Sequence, residues 1–400
     1  MKNSISLLPR VCPVCLSGAK ANIHSQHFDS LSKGSLLEGY DVVLCGACGA
    51  AFADNIPTQE EFDRYYGQMS KYEYDFSDGK VNGYDADIFK KSAEFLLPHI
   101  KRDEAIADIG CATGALLNEF KKRGFTNLTG FDPSSSCCKS GQRLYGIDIR
   151  QSTINQLSMV SDRFDLVMMT GVLEHLCDVE ASLVLLKSLL KPGGRMYLGV
   201  PDASSYHRYF GAPFQYFSME HVNFFAPNTL SNLMLRHGFQ TAKIQRVERH
   251  LGPKSIEPVV LGLFSPFSGK GDHPKVDYDL ETEEGLKEYI HQSKEIEEKI
   301  NAKIQTIVAS RTPLIVWAVG THTLRLLKNS SLSEAKIVAF VDSNRNYQGK
   351  TLHEHPILSP EEIHSIKGEI LISSQVSEDE IKEHLLASLK WTSPIHTLYS

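Results

Sequence analysis

Short apolar runs alternate with amphipathic stretches along most of the chain. Runs at 105–108, 127–132, 147–149, 163–169 and 195–200 have strand length. Stretches with helical spacing, such as 115–125, 183–190 and 231–239, lie between or after them. Strand and helix in alternation predict an α/β domain with a parallel sheet. A second set of runs, at 314–320, 336–342 and 368–374, predicts a smaller Rossmann-like unit. Between the two sets, residues 281–309 read as one long helix. Leu286, Tyr289, Ile290, Ser293, Ile296, Ile300, Ile304 and Ile307 form its stripe. That stripe can pack on either neighbouring domain. It has too few heptads for a coiled coil, so a monomer or weak homodimer is expected. Near the N-terminus, residues 40–44 are strand-like. Thr58 with Glu61 three residues on makes a capping box that opens a helix. A second helix runs from Asp85 to Leu97, before Pro98. Residues 249–274 are rich in glycine and proline and read as a boundary and loop. These patterns divide the chain into 1–67, 68–250, 251–310 and 311–400.

Four hundred residues exceed one ordinary core, which agrees with several domains. The net charge of −6, without a basic run, argues against nucleic-acid binding. No apolar run approaches the roughly 18 residues of a membrane helix. The first residues carry no signal-peptide core. A cytoplasmic protein with no membrane partner is expected. Eight cysteines are too few for a disulfide scaffold, and their spacing points to metal. Cys12 and Cys15 form one C-x-x-C knuckle, and Cys45 and Cys48 form another, separated from it by 29 residues. Each knuckle can offer two thiolates to one tetrahedral ion, so the pair predicts a Cys₄ zinc site in a small β module. All four ligands are protein thiolates, so the zinc is expected to be structural. A redox dithiol is the alternative, but the thioredoxin-like helix that normally follows such a motif is missing. His24 and His27, between the knuckles, read as surface residues.

The stretch AIADIGCATGALL at 105–117 combines a strand, a glycine turn and a helix. That geometry lets a backbone approach a nucleotide cofactor closely. The turn spacing is G-x-x-x-G, with Gly110, Cys111, Ala112 and Gly114, and not the G-x-G-x-x-G of a dinucleotide fold. Asp108 ends the strand. Asp132, 22 residues past Gly110, ends the next one, where a ribose-diol ligand is expected. The turn resembles the first motif of class I methyltransferases. With Asp132, the loop TGVLEHL at 170–176 and LLKPGGRMYLGVP at 189–201, the order resembles that fold throughout. The resemblance implies S-adenosylmethionine as cofactor.

Two histidines stand where substrate would lie: His175 beyond the fourth strand, and His221 beside Glu220 in an aromatic stretch that precedes a helix. Both also read as satisfied structural residues. The tyrosines at 72 and 74 sit in a loop that could cover the site. The order of Cys₄ module, methyltransferase domain and Rossmann-like C-terminal domain resembles the sugar C-methyltransferases of deoxysugar biosynthesis. That resemblance implies methylation at C3 of a nucleotide-linked 4-keto-6-deoxysugar through an enolate. It implies His221 beside Glu220 as the base, with His175 holding the sugar or stabilising the enolate. Tyr72 or Tyr74 would contact substrate. The family's tyrosine two residues before the Glu-His pair is Ser218 here, and Tyr216, two residues further back, is the candidate to stand in for it. FSMEHVNFFAPNTL also resembles a wider group of methyltransferases, many linked to surface glycans, which leaves O-methylation open. A non-catalytic binding protein is the third reading. The C-terminal unit, with Gly320 alone in its turn, is expected to be structural or to cap the substrate.

Overall fold

The computed structural model describes residues 7–29, 37–69, 83–209, 211–252, 255–267 and 276–400. Tyr72 and Tyr74 lie outside them. The N-terminal segment forms three antiparallel strands: β1 (Lys20–His27), β2 (Gly39–Cys45) and β3 (Ala51–Asp54). Helix α1 (Gln59–Met69) starts at the expected capping box, where the Thr58 amide donates to the Glu61 carboxylate at 3.1 Å. Helix α2 (Gly83–Leu96) follows.

The central sheet takes β4 (Ile106–Ile109), β5 (Leu128–Asp132), β6 (Asp148–Gln151), β7 (Phe164–Thr170) and β8 (Leu190–Pro201). After β9 (Asn223–Phe224) come β10 (Phe239–Gly252) and β11 (Ser255–Pro266). The sheet order is β10-β11-β8-β7-β4-β5-β6. Strands β4 to β8 are parallel, and β11 runs antiparallel to both β8 and β10. The expected strands are all present.

One expectation is corrected. Residues 255–266, read as loop, form the inner strand β11. Its glycine and prolines disguised a fully buried strand, in which Val259, Val260, Leu261, Leu263 and Phe264 are all core. Pro258 lies one residue past the last β8 partner, where a missing N–H costs that ladder nothing.

The smallest sheet crosses the sequence divisions. Its order is β1-β2-β3-β9, and Ala51 pairs with Phe224 and Phe52 with Asn223. The segment beside the Glu220-His221 pair therefore completes the cysteine module.

Helix α3 (Ala115–Lys121) follows the glycine turn, and α4 (Ser135–Tyr145) follows β5. Helix α5 (Val179–Ser188) precedes β8, and α6 (Pro227–Arg236) follows β9. The long helix is α7 (Leu280–Ala309), capped by the Asp279 carboxylate on the Thr282 amide at 3.1 Å. Its stripe serves both neighbours. Leu286 and Tyr289 pack with Tyr206, Phe214 and Phe217, while Ile300 and Ile304 pack among Leu314, Val316 and Phe340 of the last domain. That domain holds β12 (Leu314–Trp317), α8 (Thr321–Asn329), β13 (Ile337–Val341), β14 (Thr351–Leu352), β15 (His355–Leu358), β16 (Glu369–Ile372) and β17 (Ile395–Thr397). Its order is β14-β15-β13-β12-β16-β17. Among the described residues, no helix is long and apolar enough to cross a membrane.

Candidate active site and zinc centre

The glycine turn sits at the carboxyl ends of β4 and β5. The Gly110 and Cys111 amides donate to the Phe131 carbonyl at 2.7 and 3.2 Å, which ties the turn to β5. Gly110 has φ +72°, and a Cβ there would lie 2.4 Å from Val172 Cγ2, so only glycine fits. Ala112 adopts φ +48° without glycine's freedom. Its amide donates to Asp132 Oδ2 at 2.8 Å, and the Ser134 amide donates to Oδ1 at 2.9 Å. Asp132 is thus anchored by a backbone amide on each oxygen. Asp108 is buried, and burial, with the nearby Asp132 charge second, pushes its carboxyl up to about 8. Cys111 forms the turn through its backbone. Its side chain turns inward, where a Cβ on Gly130 would lie 2.5 Å from Cys111 Sγ.

Val172 connects this turn to the next loop along the sheet. Strand β7 pairs directly with β4. Beyond it, Leu173–His175 form one tight helical turn. The second histidine arrives from the long connection after β8. Hydrogen bonds join the loops: the Val222 amide donates to the Glu174 carbonyl at 2.8 Å, and His175 Nδ1 donates to the Glu220 carbonyl at 2.9 Å. A carbonyl can only accept, so His175 carries its proton on Nδ1, and Nε2 of the neutral ring is an acceptor. The His175 and His221 rings meet edge to face with centroids 4.8 Å apart. Glu174 is buried beside them, its Oε1 3.9 Å from His175 Nε2. Polar atoms of Glu174, His175 and His221 all lie within 4.8 Å of one another.

The sequence reading assigned no role to Glu174, although it directly precedes His175. It also gave Glu220 a side-chain role, whereas the bond that joins the loops uses its carbonyl. Ser218, at the departure from the family pattern, accepts from the Glu220 and His221 amides at 3.3 and 3.2 Å and so shapes the turn.

Tyr216 is corrected as a substrate contact. It is buried, stacked on Tyr206 with centroids 4.2 Å apart, and its hydroxyl donates to the Ile256 carbonyl at 2.6 Å. Strand β11, unforeseen in the sequence, supplies that carbonyl. His24 is also corrected. It stacks on Phe214 at 4.2 Å, and burial lowers its pKa to about 4.

The four knuckle cysteines converge, with Cys12 and Cys48 sulfurs 3.6 Å apart and Cys15 and Cys45 sulfurs 3.5 Å apart. All four sulfurs lie within 4.8 Å of one another. A zinc tetrahedron with 2.3 Å bonds has edges of about 3.8 Å, so the set fits zinc. The Ala47 amide points at Cys45 Sγ at 3.4 Å, and the hydrogen bond from Cys48 draws the Cys12 thiol below the usual thiol range.

Residues 83–244 match a family model described as a methyltransferase domain. The central domain has the methyltransferase fold. Residues 310–390 match a second model, described as C2185-like, N-terminal. A ubiquinone biosynthesis O-methyltransferase of Rhizobium rhizogenes is 35% identical over 98 residues, covering 23% of this chain and 39% of that protein. The corresponding protein of a Bradyrhizobium species is 38% identical over 95 residues, with 22% and 36% covered. The chain thus spans well under half the length of these curated relatives. Among solved structures, a 1,6-didemethyltoxoflavin-N1-methyltransferase of Burkholderia thailandensis with bound S-adenosylhomocysteine superposes with a TM-score of 0.42 at 19% identity, over 55% of this chain and 96% of that one. The matched residues 83–244 include the glycine turn, Asp132 and both histidines.

Proposed function

We propose that this chain transfers a methyl group from S-adenosylmethionine to a small-molecule acceptor, a nucleotide-linked 4-keto-6-deoxysugar methylated at C3. The observation that carries the reading is the His175–His221 pair, held with Glu174 one strand away from the glycine turn. The cofactor supplies an electrophilic methyl group. Asp132 is the partner for its ribose diol, and Asp108 for its cationic end. The imidazole pair takes the proton from the carbon beside the ketone. His175 Nε2 is an acceptor when the ring is neutral, so it shares the base role that the resemblance implies for His221. Glu174 balances positive charge that develops on the pair. A positioned base contributes about 10²–10⁴-fold, and juxtaposition of methyl and carbon much of the rest. Zinc in the Cys₄ site is structural in this reading.

The part-length identity to O-methyltransferases favours a second reading, in which the same pair deprotonates a hydroxyl. The two are separated by product made from methyl-labelled S-adenosylmethionine and a panel of nucleotide-linked ketosugars. A ¹³C signal of a carbon-bound methyl is expected, and a methoxy signal would replace the first reading by the second. His175→Gln and His221→Gln should each keep S-adenosylhomocysteine affinity and lower turnover by at least ~10²-fold. Calorimetry that detects no binding of S-adenosylmethionine or S-adenosylhomocysteine would leave a binding protein with a degenerate cofactor fold.

A further inference from the structure

We propose that Arg10 is a positioning residue for the imidazole pair, through which the cysteine module sets the candidate active site. The inference rests on reading His175 and His221 as the groups that activate the acceptor. Arg10 lies two residues before Cys12, far from both histidines in sequence. Its guanidinium nevertheless reaches both loops. Nη1 donates to the Ala53 and Val222 carbonyls, each at 2.9 Å. Nη2 donates to the Cys177 carbonyl at 3.0 Å and to Asn223 Oδ1 at 2.7 Å. Val222 directly follows His221, and Cys177 stands two residues past His175. One planar fork thus holds a backbone oxygen beside each member of the pair, which a single ammonium could not do.

Asn223 extends the clamp. Its oxygen accepts from Arg10, while its Nδ2 donates to the Leu173 and Leu176 carbonyls at 3.1 and 2.8 Å. Those two residues bracket Glu174 and His175. Arg10 is itself pinned on the module side. Its amide donates to Asp54 Oδ1 at 2.6 Å, its carbonyl accepts from Lys20 Nζ at 2.8 Å, and its guanidinium lies over the Phe52 ring. The first knuckle is fastened to the methyltransferase domain as well, where Arg236 donates to the Val14 and Pro13 carbonyls at 2.8 and 3.2 Å. Leu173 and Leu176 share one hydrophobic cluster with Cys12, Val14, Cys45 and Cys48. The knuckles, the clamp and the histidine loop are therefore one packed unit. A displacement of about 1 Å at reacting groups can cost ~10²-fold in rate, so a clamp on their backbones bears on function without touching substrate.

The test uses the full zinc-loaded chain, with ring-labelled histidine, with and without S-adenosylhomocysteine. The nuclear Overhauser cross-peak between the His175 and His221 rings is assigned by its disappearance in His175→Gln and in His221→Gln. In Arg10→Ala the cross-peak should be lost while S-adenosylhomocysteine affinity and zinc content stay at the parent level. A cross-peak that persists in Arg10→Ala overturns the proposal. Should that variant lose zinc or fail to fold, Asn223→Ser decides, since it opens the clamp from β9 and leaves the cysteine module intact. Loss of the ring contact there supports the clamp, and retention overturns it. The parent chain's affinity for S-adenosylhomocysteine reports separately on the methyltransferase reading, because the ring contact is read without any acceptor.

Discussion

Asp108 and Asp132 place two carboxylates on adjacent strand ends, and their surroundings separate them. Asp132 is anchored by two amides, whereas Asp108 is driven toward its neutral form by burial and by its neighbour. A carboxyl raised from 3.8 to about 8 stabilises the fold in its protonated state. That contribution is complete below the unfolded value and is lost as pH rises through about 8. The ligand-free chain is therefore expected to melt at falling temperature as pH rises toward about 8. Asp108→Asn should flatten this fall. A cationic amino group at the site favours ionised Asp108, so binding of S-adenosylhomocysteine should release a proton and tighten as pH approaches about 8. Calorimetry in buffers of different ionisation heat measures the proton directly, and a heat that does not change with buffer rules the coupling out. Both acids were legible in the sequence, because each ends an apolar run at a spacing that the turn dictates. Glu174 was not, since adjacency to a histidine says nothing about which way a buried carboxylate points.

At the scale of elements, the two-residue strand β9 joins the histidine loop to the cysteine module. A structural zinc can contribute on the order of 10 kcal/mol to folding. Here that energy should reach beyond the module that binds it. Removing zinc, by chelation or by Cys45→Ser, is expected to speed amide hydrogen exchange at 171–177 and 218–224 as well as at 10–54. Strands β4 and β5 should keep their protection. Exchange confined to 10–54 would mean that the module and the loop are energetically separate. The knuckles could be read from sequence because C-x-x-C is a local signal. Strand β9 could not, because two residues have no period. Strand β11 was missed for the opposite reason, since its glycine and prolines outweighed a run of buried residues.

For the whole molecule, α7 is the element that binds the domains to one another. Tyr289 is buried against Tyr206, Phe214 and Phe217, and its hydroxyl accepts from the Tyr216 amide at 3.1 Å. Gly285 lets the helix approach so closely that a Cβ would lie 2.2 Å from the Ser204 carbonyl oxygen. Further along the helix, Glu297 pairs with Arg325 of the last domain, whose guanidinium lies over the Phe214 ring. Tyr289→Ala should cost about 3–5 kcal/mol, as for other large buried side chains. Equilibrium denaturation should show the loss across the chain's main transition. A cost below about 1 kcal/mol would place the helix outside the cooperative unit.

Local chemistry determined much of this protein from the sequence alone. The glycine turn, the two acids, the two knuckles and the strand–helix alternation each depend on residues a few positions apart, so spacing suffices to read them. Their association into one site depends on contacts that span the chain. Arg10 meets Val222, and the Glu220 carbonyl meets His175, only once the sheets have closed. The same closure took Tyr216 into the core and left Glu174 beside the imidazoles. Those assignments follow from burial and from hydrogen bonds to distant backbone, which no local pattern encodes.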